Sequence, residues 1–244
     1  MGILKLEHLY KNYGDIEVLK DINLEIEAKE VAVILGPSGC GKSTLLRCIN
    51  GLEEFKSGTL YIDNEKITKD FKEWTRMRQK IGMVFQSYEL FEHLSVRENI
   101  LLGPLKVQKR NRDEILKEAK IWLEKVGLAH KIDAYPRELS GGQKQRIAIV
   151  RSLCMNPKLM LFDEVTAALD PEIVREVLEV ILNLAKEGMT MLIVTHEMGF
   201  AKAVADKIVF MDKGQIIEQN TPDNFFKNPH TTRAKRFLNL FDYH

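Results

Sequence analysis

Cysteine is scarce in this 244-residue chain, limited to Cys40, Cys48 and Cys154. An odd count at no zinc-ligand spacing excludes a disulfide framework and a structural zinc site, and leaves three free thiols acting as small packing residues. Long apolar runs are also missing. The longer ones, such as Val31-Ala-Val-Ile-Leu35 and Met191-Leu-Ile-Val194, fall far short of the roughly 20 residues that a spanning helix needs. No segment is expected to cross a membrane. Charge of one sign is not in excess: 36 Lys plus Arg stand against 35 Asp plus Glu. That balance excludes the overall field that holds a protein on nucleic acid. The opening Met1-Gly-Ile-Leu-Lys-Leu-Glu7 has neither the apolar stretch nor the cleavage site of a secretory signal, so residence in the cytoplasm is expected. Linkers, low-complexity tracts and internal repeats are lacking too, which gives no reason to expect a second independent domain.

What is present fits a globular protein, with 45% apolar and 29% charged residues. Short β-like runs alternate with helical patterns, as in an α/β protein with a largely parallel sheet. Ile3 to Leu9 and Ile22 to Ile26 alternate at period two like half-buried antiparallel strands, joined by Thr59 to Asp63. Val31–Leu35, Leu159–Phe162, Met191–Val194 and Ile208–Met211 are unbroken apolar runs suited to strands covered on both faces. Asp212-Lys-Gly214 reads as a tight turn into a final hairpin strand. Between Gln86 and Pro157 strand signals nearly vanish. The spacing of Ile115, Leu116, Ala119, Trp122, Leu123 and Val126 is helical there, so a helical insertion within one domain is expected. The tail from Arg233 to Leu240 reads as a helix packed on the core.

Gly36-Pro-Ser-Gly-Cys-Gly-Lys-Ser43 fits G-x-x-x-x-G-K-[ST] between an apolar strand and a helical pattern. Glycines let backbone N–H groups turn onto phosphates, the helix N-terminus adds its positive end, Lys42 neutralises phosphate oxygens and Ser43 offers a hydroxyl to Mg²⁺. The candidate nucleotide-binding stretch is Gly36, Pro37, Ser38, Gly39, Cys40, Gly41, Lys42, Ser43 and Thr44. Leu159-Met-Leu-Phe-Asp163-Glu164 delivers two carboxylates at a strand's C-terminal end, where open α/β sheets bind ligands. Adjacent side chains point different ways, so Asp163 is expected to face the metal and Glu164 the attacking water. Leu139-Ser-Gly-Gly-Gln143 opens a helical pattern and makes a second anion site from Ser140, Gly141, Gly142 and Gln143. One nucleotide has no use for two such sites in one subunit; a head-to-tail partner would bring them together.

With these motifs in order, the chain resembles the nucleotide-binding subunits of ABC (ATP-binding cassette) transporters over nearly its whole length. The resemblance implies a P-loop NTPase (RecA-like) core with an N-terminal antiparallel β region and an inserted α-helical subdomain. It implies one domain, 2–240, with core segments 2–86 and 157–240 and the insertion at 87–156. Tyr13 matches the aromatic that stacks on adenine, Gln86 the residue that senses Mg²⁺ and the membrane partner, Asp170 the bridge between subunits, and His196 the γ-phosphate switch. By themselves Tyr13 and Gln86 read as surface and strand-end residues, and His196 as a core or cap histidine. The metal set is then Ser43, Gln86 and Asp163, partly through water, with Glu164 and His196 catalytic.

The family mechanism is a homodimer closed on two Mg-ATP, coupled to integral-membrane permease subunits and through them to an extracytoplasmic solute-binding protein. Its expected place is the cytoplasmic face of the membrane, with no nucleic-acid partner. Gly188 to Ala201 and the ending near residue 244 are similar to importers of polar amino acids. Lipoprotein release, other export, or action on nucleic acid are the alternatives. The family's usual Pro-Thr-Ser-Ala after the glutamate is here Val165-Thr-Ala167-Ala168; neither change replaces a residue given a catalytic role.

Overall fold

The computed structural model describes residues 2–167 and 169–240. The alternating N-terminal sequence becomes a four-stranded antiparallel sheet in which β1 (Leu4–Tyr13) lies between β2 (Ile16–Ile26) and β4 (Ser57–Ile62), with β5 (Glu65–Ile67) at the far edge. Leu4 and Leu6 face the core, but the register of β1 against β2 slips between Leu6 and Leu9 and again around Lys11. Such irregularities re-aim whatever follows. Leu9 and Lys11 are therefore buried where unbroken alternation would have turned His8 and Tyr10 inward.

The apolar runs form a six-stranded sheet of order β10-β9-β3-β8-β7-β6. Its members are β3 (Val31–Leu35), β6 (Ile81–Val84), β7 (Leu159–Asp163), β8 (Met191–Val194), β9 (Lys207–Asp212) and β10 (Gln215–Asn220). All neighbours are parallel except the β9–β10 hairpin. Unbroken apolar sequence suits these strands because both faces are covered. In β3, Ala32 and Ile34 join the core shared with the antiparallel sheet and α1 (Lys42–Ile49). Val31, Val33 and Leu35 enter a second core on the opposite face. That core lies under α6 (Pro171–Lys186), α7 (Met198–Val204), α8 (Pro222–Lys227) and α9 (Thr232–Leu238). β5 is not foreseen from the sequence, and of β6 only the end is, through Gln86 as a strand-end residue: one has three residues, the other four with Gly82 among them, too few to show a period.

A short helix, α2 (Trp74–Met77), precedes β6; between β6 and β7 the chain is helical, with α3 (Val96–Lys106), α4 (Arg112–Lys125) and α5 (Gly141–Leu153). Each of these three is started by a side chain that satisfies its free N–H groups. Ser95 and Ser140 do so in capping boxes with Glu98 and Gln143, and Asn111 accepts from Asp113 and Glu114. Ala119 and Leu123 of α4 meet Val96, Ile100, Ile147 and Val150 in a third apolar core, and Ile115 of the same helix is buried. The tail is helical as expected, and Ala234, Phe237 and Leu238 of α9 are buried.

The register sets the height of the strand ends. Val194 pairs with Ile34 on one side and Asp163 on the other, so β3, β8 and β7 end level and release their loops from one edge. Phe210 in β9 carries the C-terminal helices, with ring centroids 5.0 Å from Phe237 and 5.9 Å from Phe225. Replacing Phe210 by Ala should lower unfolding free energy by about 3–5 kcal/mol, measured by urea titration; a loss below about 1 kcal/mol would show that α8 and α9 do not depend on it.

Candidate functional site

The loop from Gly36 to Gly41 leaves β3 and passes close under β9. A Cβ on Gly36 would lie 2.1 Å from the Met211 carbonyl oxygen, so a side chain there would push the loop off the sheet. Lys42, the first residue of α1, is only 4% exposed. Its ammonium donates to the carbonyl oxygens of Gly36 (3.0 Å) and Pro37 (3.1 Å) and lies 3.8 Å from Glu164 Oε1. A cation this deep needs such partners.

The next side chain crosses to another strand. Ser43 Oγ donates to Asp163 Oδ1 at 2.7 Å, joining the helix after β3 to the end of β7. Asp163 is 5% exposed. Burial pushes its carboxyl up from the ordinary range, while the Ser43 hydrogen bond and the charges of Arg47 and Lys42 pull it back. Glu164 follows in the left-handed region, φ 47°, with its N–H bonded to the Val194 carbonyl at 3.0 Å. A non-glycine residue rarely adopts this conformation, and such residues gather at functional sites. Glu164 Oε1 lies 3.0 Å from Nε2 of His196, which leaves β8 at the same edge. The turn after Glu164 is closed by the Ala167 N–H on the Glu164 carbonyl, and Val165 is buried in the core despite the missing proline; Ala168 lies outside the described residues.

These groups border a cleft of about 290 Å³ lined by Val18, Ser38, Gly39, Gly41, Lys42, Ser43, Thr44 and Glu164. Tyr13, at the end of β1, stands near it: burial together with Glu53 pushes its phenol up, and Thr44, which lines the cleft, pulls it back. Val18 and Arg47 also belong to this site, and the sequence reading missed both. Val18 sits in a strand of ordinary β composition, and Arg47 gains its place only by following Lys42 and Ser43 by one helical turn.

The other predicted residues gather elsewhere. Ser140 is exposed at the start of α5; its Oγ accepts from the Gln143 N–H (3.3 Å) and its N–H donates to Gln143 Oε1 (3.0 Å). Gly142 presses on α6, where a Cβ would meet Ile173 Cγ2 at 2.0 Å. Asp170, exposed, holds the N-cap position at that same end of α6 without a side-chain capping hydrogen bond. The Ser140 to Gln143 segment thus lies beside the start of α6 through Gly142. Gln86 is exposed in the turn after β6. This turn is held from α5, because Gln145 Nε2 donates to the Phe85 carbonyl (3.1 Å) and Arg151 to those of Tyr88 (3.3 Å) and Glu89. Beside it a cleft of about 750 Å³ opens among Ile81, Met83, Phe91, Leu102, Val107 and Met155. Cys40, Cys48 and Cys154 are free and buried, and burial pushes the thiols of Cys48 and Cys154 up to about 12. No helix among the described residues is long and apolar enough to cross a membrane.

The family described as ABC transporter matches residues 19–167. The glutamine transport ATP-binding protein GlnQ of Geobacillus stearothermophilus is 58% identical over 228 residues, which cover 93% of this chain and 94% of that protein. The glutamate transport ATP-binding protein GluA of Corynebacterium efficiens is 52% identical over 236 residues, 97% of this chain and 98% of that protein. A solved dimeric ATP-binding cassette, MJ0796 in a post-hydrolysis state bound to ADP and Pi, aligns with a TM-score of 0.78 and 33% identity over 90% of this chain and 98% of its own. Loop, carboxylate pair and histidine lie within the span shared with these proteins, and the chain belongs to the ABC transporter family as an ATP-binding subunit.

Proposed function

We propose that this chain hydrolyses ATP for an importer of polar amino acids, as a homodimer closed on two Mg-ATP and docked on permease subunits at the cytoplasmic face of the membrane. One observation carries the chemistry: Lys42, Ser43, Asp163, Glu164 and His196 converge on a single sheet edge. Loop amides and Lys42 suit the β- and γ-phosphates, the ammonium exchanging its two carbonyl partners for phosphate oxygens. Mg²⁺ fits the donor set, since a hydroxyl and one carboxylate 2.7 Å apart leave room for phosphate oxygens and water. When bound, the metal neutralises phosphate charge. Ser43 and Asp163 would hold it, with Gln86 reaching it through water from its exposed turn.

Glu164 is the candidate general base. His196 fixes one of its oxygens and stands where a γ-phosphate would meet both. Tyr13 offers its ring to adenine. Ser140, Gly141, Gly142, Gln143 and Asp170 sit apart from the loop, and we assign them to the nucleotide of the second copy. The likeness to a dimeric cassette supports this assignment. Within one domain spanning 2–240, residues 87–156 form the inserted helical part, and the apolar cleft beside Gln86 is the docking face for a permease helix. The relatives named for glutamine and glutamate transport support the cargo class and, with it, a solute-binding protein upstream.

Glu164→Gln should cut Mg-ATP hydrolysis by on the order of a hundredfold or more and accumulate an ATP-bound dimer on size exclusion. Chelating Mg²⁺ should abolish turnover in the unmodified chain. A monomer persisting at saturating Mg-ATP would count against the scheme. For docking, Val107→Glu places charge in the apolar cleft, where Val107 is 43% exposed. The variant should lose co-purification with the permease while the isolated subunit binds ATP as before; undiminished co-purification rejects this docking face. With the permease and solute-binding protein reconstituted, glutamine or glutamate should stimulate hydrolysis, and stimulation confined to other solutes would exclude this cargo class.

A further inference from the structure

We infer that Lys11 is a positioning residue for the nucleotide base: its buried ammonium braces one face of the Tyr13 ring and presents the other face to adenine. The inference rests on Tyr13 being the base platform and adds the residue that makes the platform rigid.

A lysine two residues from a strand end ordinarily sends its charge to water. Lys11 is instead 7% exposed. Its ammonium donates to Glu53 Oε2 at 2.9 Å and to the Glu54 carbonyl at 2.7 Å, and stands 4.6 Å from the centroid of the Tyr13 ring. The irregular register of β1 produces this placement. After the slip between Leu6 and Leu9, side chains two apart share a face, so Leu9, Lys11 and Tyr13 line up. Burial opposes the charged form of Lys11, but the hydrogen bond and charge of Glu53 outweigh it and hold the ammonium above the ordinary lysine value. The cation therefore persists at neutral pH.

The acceptors belong to the segment that follows α1. The Glu53 N–H donates to the Arg47 carbonyl at 3.2 Å, and the Lys56 N–H to the Tyr10 carbonyl at 2.7 Å. Lys11 thus ties the end of β1 to the helix that begins with Lys42 and Ser43. Tyr13 is held on one ring face by the ammonium, with Glu53 acting on its phenol as well, yet the residue remains 44% exposed. A cation on one face of an aromatic ring draws on its negative π-cloud, leaving the other face less repulsive to an electron-rich purine. Holding the ring before the base arrives also removes an ordering cost from binding. Neither effect acts on the phosphates, and this separates a base-positioning lysine from a general brace of the loop.

The test is equilibrium titration of the isolated subunit with ADP and, separately, with inorganic pyrophosphate, for the unmodified chain, Lys11→Met, Lys11→Gln and Tyr13→Ala. Lys11→Gln keeps a donor for the Glu54 carbonyl and serves if Lys11→Met does not fold. The expected result is roughly threefold to tenfold weaker ADP binding in the Lys11 variants, with pyrophosphate affinity within about twofold of the unmodified chain. Equal weakening of both ligands, or of neither, overturns the assignment. Tyr13→Ala separates the two readings. If it weakens ADP alone while the Lys11 variants do not, Lys11 has no part in a platform that stands; if it leaves the preference for ADP over pyrophosphate intact, the platform falls and Lys11 with it.

Discussion

The hydrogen bond from Ser43 to Asp163 spans 120 positions of sequence and reaches across β8, because β3 and β7 are not neighbours in the sheet. Its two ends are tightly constrained. Asp163 is the last residue of a strand buried on both faces, and Ser43 lies in the first turn of a helix whose preceding loop must pass within contact of the Met211 carbonyl. A shift of one residue in the pairing of β8 with either neighbour would raise or lower one end by about 3.3 Å and separate the oxygens. What holds the register is the division of alternate residues between two apolar cores. Leu159 and Leu161 go to one and Met160 and Phe162 to the other, so that a one-residue slip exchanges the faces. The geometry of a few polar atoms is thereby set by the packing of apolar ones.

The same edge is buttressed from the outside. The turn after β9 donates the Gly214 N–H to the Cys40 carbonyl and accepts from the Lys20 N–H, tying the loop to β2. Asp212, at the start of this turn, holds Arg233 of α9 through two hydrogen bonds, of 2.8 and 3.1 Å. The C-terminal helix is in turn anchored by Glu218, whose carboxylate accepts from the N–H groups of His230 and Thr231. Under the proposed role in binding phosphate, a loop gains from such fixed surroundings, since donors already oriented need no reordering when an anion arrives.

Apart from β6, the strands of the main sheet, the hairpin at Asp212 to Gly214 and the two carboxylates at the end of β7 were legible in the sequence, because each depends on an unbroken apolar run or on a turn residue. The loop from Gly36 to Ser43 was legible as a motif because the phosphate chemistry proposed for it demands particular residues at fixed spacing. Less visible was whatever depended on register. Lys11 reads as a solvated residue between Tyr10 and Asn12, and only the slip in β1 turns it inward. Arg151 reads as one more basic residue of an amphipathic helix; its contact with the Tyr88 and Glu89 carbonyls requires both residues to take positive φ, 58° and 52°, which neither residue type announces. β6, marked only by Gln86 as a strand-end residue, was faint for a different reason. Four residues with a glycine second carry no period, and its strand character comes from pairing with β7.

The helical part is fastened to the core through one element above all. Along α5, Gln145 donates to the Phe85 carbonyl, Arg151 to those of Tyr88 and Glu89, and Ser152 to that of Met83 at 3.1 Å, so β6 and its following turn are held from a single helix. The other end of α5 is Ser140-Gly-Gly-Gln143, packed through Gly142 against Ile173 of α6. Thirteen residues of α-helix extend about 20 Å, and a hydrogen-bonded helix moves as a rod rather than bending at every contact. Under the proposed docking of a permease beside the 85–91 turn, a displacement of this turn would move the carbonyls that α5 holds, and Ser140 would have to follow unless Gly142 slid on Ile173. The opposite movement, starting from Ser140, would reach the docking cleft by the same bonds.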